Sequence, residues 1–396
     1  MSIIMMGTMA ALALIVGGVV DYASLGNQKR DLQNVADGAA LAAARELVVT
    51  APTEMRLLSV AEAYVAANLK AEHIAVTAAL GADKRSIEVS VAADPKVFFP
   101  GPIGANAKRQ SASATAAIYG GGNVCMIGLD TKSGSTLNMK NKARLTAGGC
   151  AIYSNSLDKH SITIQSNASV RASLVCAAGG VDGVKAAINP AAIEDCPPIE
   201  DPLASRPAPP IGGCTQTDLE VKSVQTLTPG TYCGGLKVTG GTATLQPGVY
   251  VIKDGPLTVT AGGSLSGENA GFFLTGSKSV VTFDTTSHID LSGPQKGPMS
   301  GLLFSEDRTT TFAANHKFAS DDARRLEGTL YFPNSKLLIE AKNPIADRSD
   351  YTVIIAREFE LRDGPELVLK TNYGASNVPL PEGVGNRALA RTRLIE

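Results

Sequence analysis

LTPGTYCGGL at residues 227–236 and LQPGVYVIKDGPL at residues 245–257 share one pattern, L-x-P-G-x-Y. Pro229 maps onto Pro247, Gly230 onto Gly248 and Tyr232 onto Tyr250, each at a shift of 18 residues. A longer register surrounds this pair. Leu137, Ala143 and Leu145 recur 25 residues on as Ile162, Ala168 and Val170. Leu257 and Leu265 recur 24 residues on as Val281 and Ile289. Short apolar runs returning every ~20–30 residues indicate a parallel β-solenoid, with each coil stacked roughly 4.8 Å from the last. An antiparallel sandwich with a similar strand count is the alternative. The expected fold is therefore mainly β, with a right-handed parallel β-solenoid over residues 121–375.

Composition supports that reading. Of 396 residues, 40 are Gly and 21 Pro, which suits many tight turns. Aromatic residues are 5% and Trp is absent, so the core is expected to be built from small and β-branched side chains. The chain is 44% hydrophobic with a net charge of −1, which excludes a disordered chain. With 36 basic against 37 acidic residues, nothing favours nucleic-acid binding through phosphate contacts.

The cysteines follow the coil period. Cys125 and Cys150 are one 25-residue turn apart, so adjacent coils would bring them within disulfide range. Cys176 with Cys196, and Cys214 with Cys233, would tie a Pro-rich excursion at residues 189–213. That excursion reads as a rigid surface loop, with a polyproline docking ligand as the alternative. There is no Cys-x-x-Cys spacing, so zinc or redox chemistry is not expected, and the pairing implies an oxidising compartment.

Residues 3–20, IIMMGTMAALALIVGGVV, carry no charge. At 1.5 Å per residue they make about 27 Å of helix, which just spans a bilayer core. A transmembrane anchor is expected, with Ile3, Leu12, Leu14 and Val20 among its apolar side chains. A cleaved signal lacks its basic region and Ala-x-Ala site, and a buried soluble helix is the third reading. Lys29 and Arg30 follow the span, which by the positive-inside rule places the bulk of the chain in the cytoplasm. The cysteines point the other way, and a short basic leader upstream would reconcile the two. Beyond Asp21, Leu25, Leu32, Ala36, Ala39, Ala40 and Ala43 keep helical spacing, and Pro52 ends the helix.

These residues resemble a family. An apolar span ending in Val20-Asp21, then LQNVADGAALAAA at residues 32–44, is similar to the N-terminal segment of TadG-like Flp pilus-assembly proteins, which read close to LQNAADAAALAAA. The repeated L-x-P-G-x-Y, GGSLSGENAGFFLTG at 262–276 and GLLFSEDR at 301–308 resemble the β-helical part of a TadG-like subgroup. The resemblance implies a single-pass inner-membrane protein with its bulk periplasmic or extracellular. Its partners would be pilins or other Tad components.

Four segments are expected: a helix over 1–50, a small α+β domain over 51–120, the solenoid over 121–375, and a tail over 376–396. In the second, Val60, Ala61, Tyr64, Val65, Asn68 and Leu69 suggest a helix. Residues 87–91 and 111–118 alternate as strands. The apolar loop at 97–102 reads as folded onto its own sheet, or as a contact site. No catalytic, metal or cofactor site is expected. His73, His160, His288 and His316 fall in no catalytic motif. Asp284 and Asp290, and the trio Glu306, Asp307 and Arg308, are read as turn and surface residues, with carbohydrate cleavage as the competing use. Asp130, Ser133 and Ser135 miss the von Willebrand A metal spacing by one. The function expected is that of a non-enzymatic pilus-assembly component. A secreted or anchored β-helix that binds or cleaves surface polysaccharide is the alternative.

Overall fold

The computed structural model describes residues 2–49, 53–81, 86–97, 108–119, 123–382, 384 and 391–395. The chain divides into two units, Met1–Gly121 with Leu389–Glu396, and Gly122–Ala388.

In the first unit, α1 (Ser2–Val49) and α2 (Glu54–Asn68) accompany the strands β1 (Glu72–Leu80), β2 (Ser86–Asp94) and β3 (Gln110–Tyr119). These strands are antiparallel, and the C-terminal strand Arg391–Ile395 joins the sheet beside β3. The expected helix and α+β segments are thus one unit, and the expected tail supplies an edge strand to it. Leu32, Val35, Ala36, Ala39, Ala40, Ala43 and Ala44 are buried, a stripe at steps of three and four. Leu57, Ala61 and Val65 of α2 and Ile87, Val89 and Val91 of β2 meet it in the same core. Thr53 caps α2 by accepting a hydrogen bond from the Arg56 amide. A Cβ on Gly38 would collide with the Tyr64 hydroxyl. Glycine stands here where the family pattern has alanine, and the Tyr64 ring occupies the space.

Among the described residues no helix is long and apolar enough to cross a membrane. The backbone of the expected span is helical, but the side chains of residues 2–18, Ile3, Leu12 and Leu14 included, lie outside the described residues. Val20 is 44% exposed. Most of the loop expected at 97–102 also lies outside them.

The second unit is a parallel sheet folded into three ladders. One runs Tyr250, Phe272, Phe304, Leu330, Ile354, Met126, Ile152, Val175 as successive partners. A second runs Phe283, Phe318, Ile339, Leu361, Met139, Ile164. In the third, Leu227 pairs with Leu245, and Leu367 with Leu145 and then Val170. The 24- and 25-residue repeats read from sequence are register partners here: Leu137 with Ile162, Leu145 with Val170, Leu257 with Val281, Leu265 with Ile289. The 18-residue repeat holds at Leu227 with Leu245, but Gly230 pairs with Tyr250 and Tyr232 with Ile252, two residues beyond the expected partners.

Two expectations are corrected. Stacking does not follow chain order throughout, because Thr352–Leu361 pairs with Val124–Gly128 and Leu137–Met139. The rungs near residues 124–189 therefore continue the stack beyond its last C-terminal coil. The core is also not poor in aromatics. Rings run in a column from Tyr232 to Tyr250 (5.8 Å), Phe272 (5.6 Å), Phe304 (5.1 Å) and Phe332 (6.0 Å). Parallel stacking sets each ring over the next, so a few aromatics make a continuous interior column.

The L-x-P-G-x-Y motif now has a physical reading. The Tyr232 hydroxyl donates to the Thr228 carbonyl at 2.6 Å, and Tyr250 to Gln246 at 2.8 Å, so each tyrosine closes its own turn. Gly248 has φ +147°, and a Cβ there would collide with Cγ of Pro229 in the preceding coil. All six cysteines are paired, Cys125–Cys150, Cys176–Cys196 and Cys214–Cys233, with Cα separations of 5.7, 5.9 and 5.6 Å.

Candidate functional site

Two regions carry unusual side chains: the end of the uncharged stretch in α1, and the charged residues beneath the Pro-rich excursion. In α1, Asp21 is 2% exposed, whereas Val19 and Tyr22 on either side are 63% and 75% exposed. The acid of the Val-Asp pair therefore faces inward, and the apolar residues beside it face out. Gln28 exchanges two hydrogen bonds with the Lys96 backbone, at 2.7 and 2.8 Å, and Gln33 donates to the Ser113 carbonyl at 3.0 Å. These amides fix the helix on the sheet while Ala36, Ala39 and Ala40 fill the contact.

The excursion is a strap. It leaves the stack at Cys196 and rejoins it at Cys214, at the opposite end of the ladders. Nine parallel pairings separate the two ends in the first ladder, about 43 Å at roughly 4.8 Å each. An extended Pro-rich chain rises about 3.1 Å per residue, so the residues between the two cysteines cover that distance. Its contacts step from rung to rung. Ile199 exchanges hydrogen bonds with Asn155 at 2.6 and 2.8 Å. Tyr331 donates to Asp201. Arg308 donates to the carbonyls of Leu203 at 2.7 Å and Arg206 at 2.5 Å. Arg206 donates to the Ser300 carbonyl at 2.8 Å. An open cleft of about 200 Å³ remains beside the strap, with Phe273, Asp307, Arg308 and Tyr331 in its wall.

The charged trio separates by role. Arg308 holds the strap. Asp307 closes a turn, taking hydrogen bonds from the Thr309 amide (2.9 Å), the Thr309 hydroxyl (2.7 Å) and the Thr275 hydroxyl (2.8 Å). Burial pushes its carboxyl up, but these bonds and the Arg308 charge outweigh that and hold it below the usual value. Glu306 points into the stack and is 3% exposed. It accepts from the Asn334 amide at 3.0 Å and from the Ser335 hydroxyl. His316, fully buried, has Nε2 3.8 Å from Glu306. Its Nδ1 accepts from the Val281 amide at 3.0 Å, so the neutral ring carries its proton on Nε2. An imidazole thus replaces a carbonyl in the second ladder. Ser335 is bonded to the carboxylate and not to the imidazole, and all three groups are sealed from solvent.

Asp284 and Asp290 do not converge. Asp284 takes the Ala261 and Thr286 amides at 2.8 and 2.9 Å, whereas Asp290 is paired with Arg325 at 2.5 Å. Asp130 accepts from the Lys132 and Ser133 amides of its own turn. Outside the interior, His73, His160 and His288 each lie within 3.0 Å of a carboxylate, those of Asp94, Asp158 and Asp322. Sequence reasoning missed these pairs, and also the strap anchors Asn155, Arg206 and Tyr331; apart from His160 and Asp158, two residues apart in one turn, each joins segments separated in the chain.

These features define a mainly β protein with a helix-led N-terminal unit and disulfide-bonded parallel ladders. Residues 1–46 match the family model described as Flp pilus-assembly TadE/G-like. The N-terminal segment is accordingly TadE/G-like, as its resemblance implied. No curated protein and no solved structure matches the chain.

Proposed function

We propose that this protein is a non-enzymatic component of Flp/Tad pilus assembly, anchored in the inner membrane by residues 3–20. The observation that carries this reading is the TadE/G-like match over residues 1–46. In it, the three ladders form one right-handed solenoid, held on the periplasmic or extracellular side as a rigid contact face for pilins or other Tad proteins. The three disulfides support an oxidising compartment. The 18-residue uncharged stretch supports the anchor. The polysaccharide alternative has less behind it, because sugar platforms use exposed rings and the ladder aromatics are buried.

The test is a clean deletion with complementation in the source organism, scored by electron microscopy of surface filaments. Loss of pili, restored by the full chain but not by one lacking residues 1–46, is expected. Normal piliation in the deletion strain would refute the role. A C-terminal reporter fusion active only in the cytoplasm would refute the orientation.

A further inference from the structure

The base of the first unit is set by α1, which runs unbroken as a helix from the uncharged stretch to Val49. Gln110 donates to the Leu25 carbonyl at 3.2 Å, and Gln28 holds the Lys96 backbone. Gln33 meets Ser113 farther along, so β3 climbs away from the stretch as α1 does. Pairing of Glu72 with Asp94, and of Ala93 with Gln110, brings the start of β1 and the end of β2 to the same level. Six exposed cations gather there: Lys29 and Arg30 on α1, Lys70 before β1, Lys96 after β2, and Lys108 and Arg109 before β3. Three exposed acids, Asp31, Glu72 and Asp94, accompany them among the described residues. Asp94 is itself paired with His73 at 3.0 Å and Arg109 at 3.9 Å. A cleft of about 190 Å³ lies among the cations, with Ser24, Lys70, Lys96 and Gln110 in its wall.

We propose that this basic end is a seat for anionic phospholipid headgroups, which hold the first unit down on the bilayer. The occupant follows from height and charge. Leu25 and Gln28 lie about 8 and 12 Å past Val20 along an upright helix rising 1.5 Å per residue. The polar headgroup layer adds roughly 5–8 Å to each side of the hydrocarbon core. The cations tied to those two turns therefore stand at the headgroups or within a Debye length of them, about 8 Å at physiological salt. Basic clusters at that height are attracted to anionic lipid surfaces. The helix sets this height by itself, so no further protein is needed to bring the cations to the surface. The inference rests on the anchor in the proposed function, and it holds for either orientation of the chain.

The experiment uses the full chain reconstituted into vesicles of phosphatidylcholine, with or without an equal part of phosphatidylglycerol. Acetylation by a neutral amine reagent is followed residue by residue with mass spectrometry. Lys70, Lys96 and Lys108 should react at least about threefold more slowly in the anionic vesicles, and high salt should remove the difference. Lys70→Glu with Lys96→Glu should remove most of the protection at Lys108, with far-UV circular dichroism unchanged. Equal rates in the two vesicles, in a chain that floats with both, would overturn the seat and leave the anchor standing. Protection at Lys108 that the double variant leaves intact would overturn the seat as well. A chain that floats with neither vesicle would overturn the anchor and the seat together.

Discussion

Replacing Phe304 by alanine tests the stacked interior at its centre. Phe304 is fully buried, with Phe272, Phe318 and Phe332 at ring distances of 5.1, 5.9 and 6.0 Å. Removing a buried phenylalanine costs about 3–5 kcal/mol, and lost ring contacts fall within that range. We expect about 4 kcal/mol, a large share of a typical domain's roughly 5–15 kcal/mol. Phe304→Leu keeps most of the volume and should cost less than about 2 kcal/mol. Position along the stack matters as well. In a quasi-linear array, damage near an end is relieved by local opening, whereas damage at the centre is not. Tyr232, one rung from the end of the ladders at Cys214–Val221, should therefore cost less as Tyr232→Ala. Guanidinium unfolding with disulfides intact gives the energies, and hydrogen exchange gives the spread. Phe304→Ala should speed exchange in Ala270–Thr275 and in the strand around Leu330, and Tyr232→Ala only near Cys214–Val221. A loss under about 1.5 kcal/mol at Phe304, or identical exchange patterns, would refute an interior held by stacked rings.

Arg308→Ala removes both carbonyl bonds to the strap and should cost about 2 kcal/mol, seen as faster proteolysis between Cys196 and Cys214. Arg308→Lys keeps the charge but not the fork, and should be cut at an intermediate rate. Gly248→Ala drives a methyl into Pro229 and should cost about 2 kcal/mol or more, against roughly 1 for Gly297→Ala, which has positive φ but open space. Acid should destabilise the ladders. Asp347 is held below the usual carboxylate value by its hydrogen bonds to Arg324. In Glu340 and Glu360 burial acts upward, but the lysine and arginine partners outweigh it and both are lowered. Groups depressed in the folded state stabilise it above their unfolded pKa and lose that contribution as pH falls. The denaturation midpoint should therefore drop from about pH 5 downward, and less steeply in Glu340→Gln.

Local periodicity was legible in the sequence, because stacking demands it. Leu257 and Val281, or Leu137 and Ile162, must be apolar at a fixed interval to share a column. The cysteines were legible for the same reason, since one coil separates Cys125 from Cys150. The join between Ile354 and Met126 was not. Any apolar residue can cap any apolar column, so nothing in either segment names its neighbour. The Pro-rich excursion and its flanking cysteines were legible, but its path was not, since its anchors Asn155 and Tyr331 acquire meaning only once that join is made. In the first unit, β1 was missed because its alanines favour a helix when read alone, and pairing with β2 overrides them. The buried His316 left no trace either, as its role is to receive one amide from a rung 35 residues away.

The most direct test of the account is a photo-crosslinker at exposed Tyr22, activated in native membranes, with the captured partner identified by mass spectrometry. The pilus-assembly reading predicts a pilin or another Tad component. Capture that never includes such a protein, in cells that are assembling pili, would contradict it.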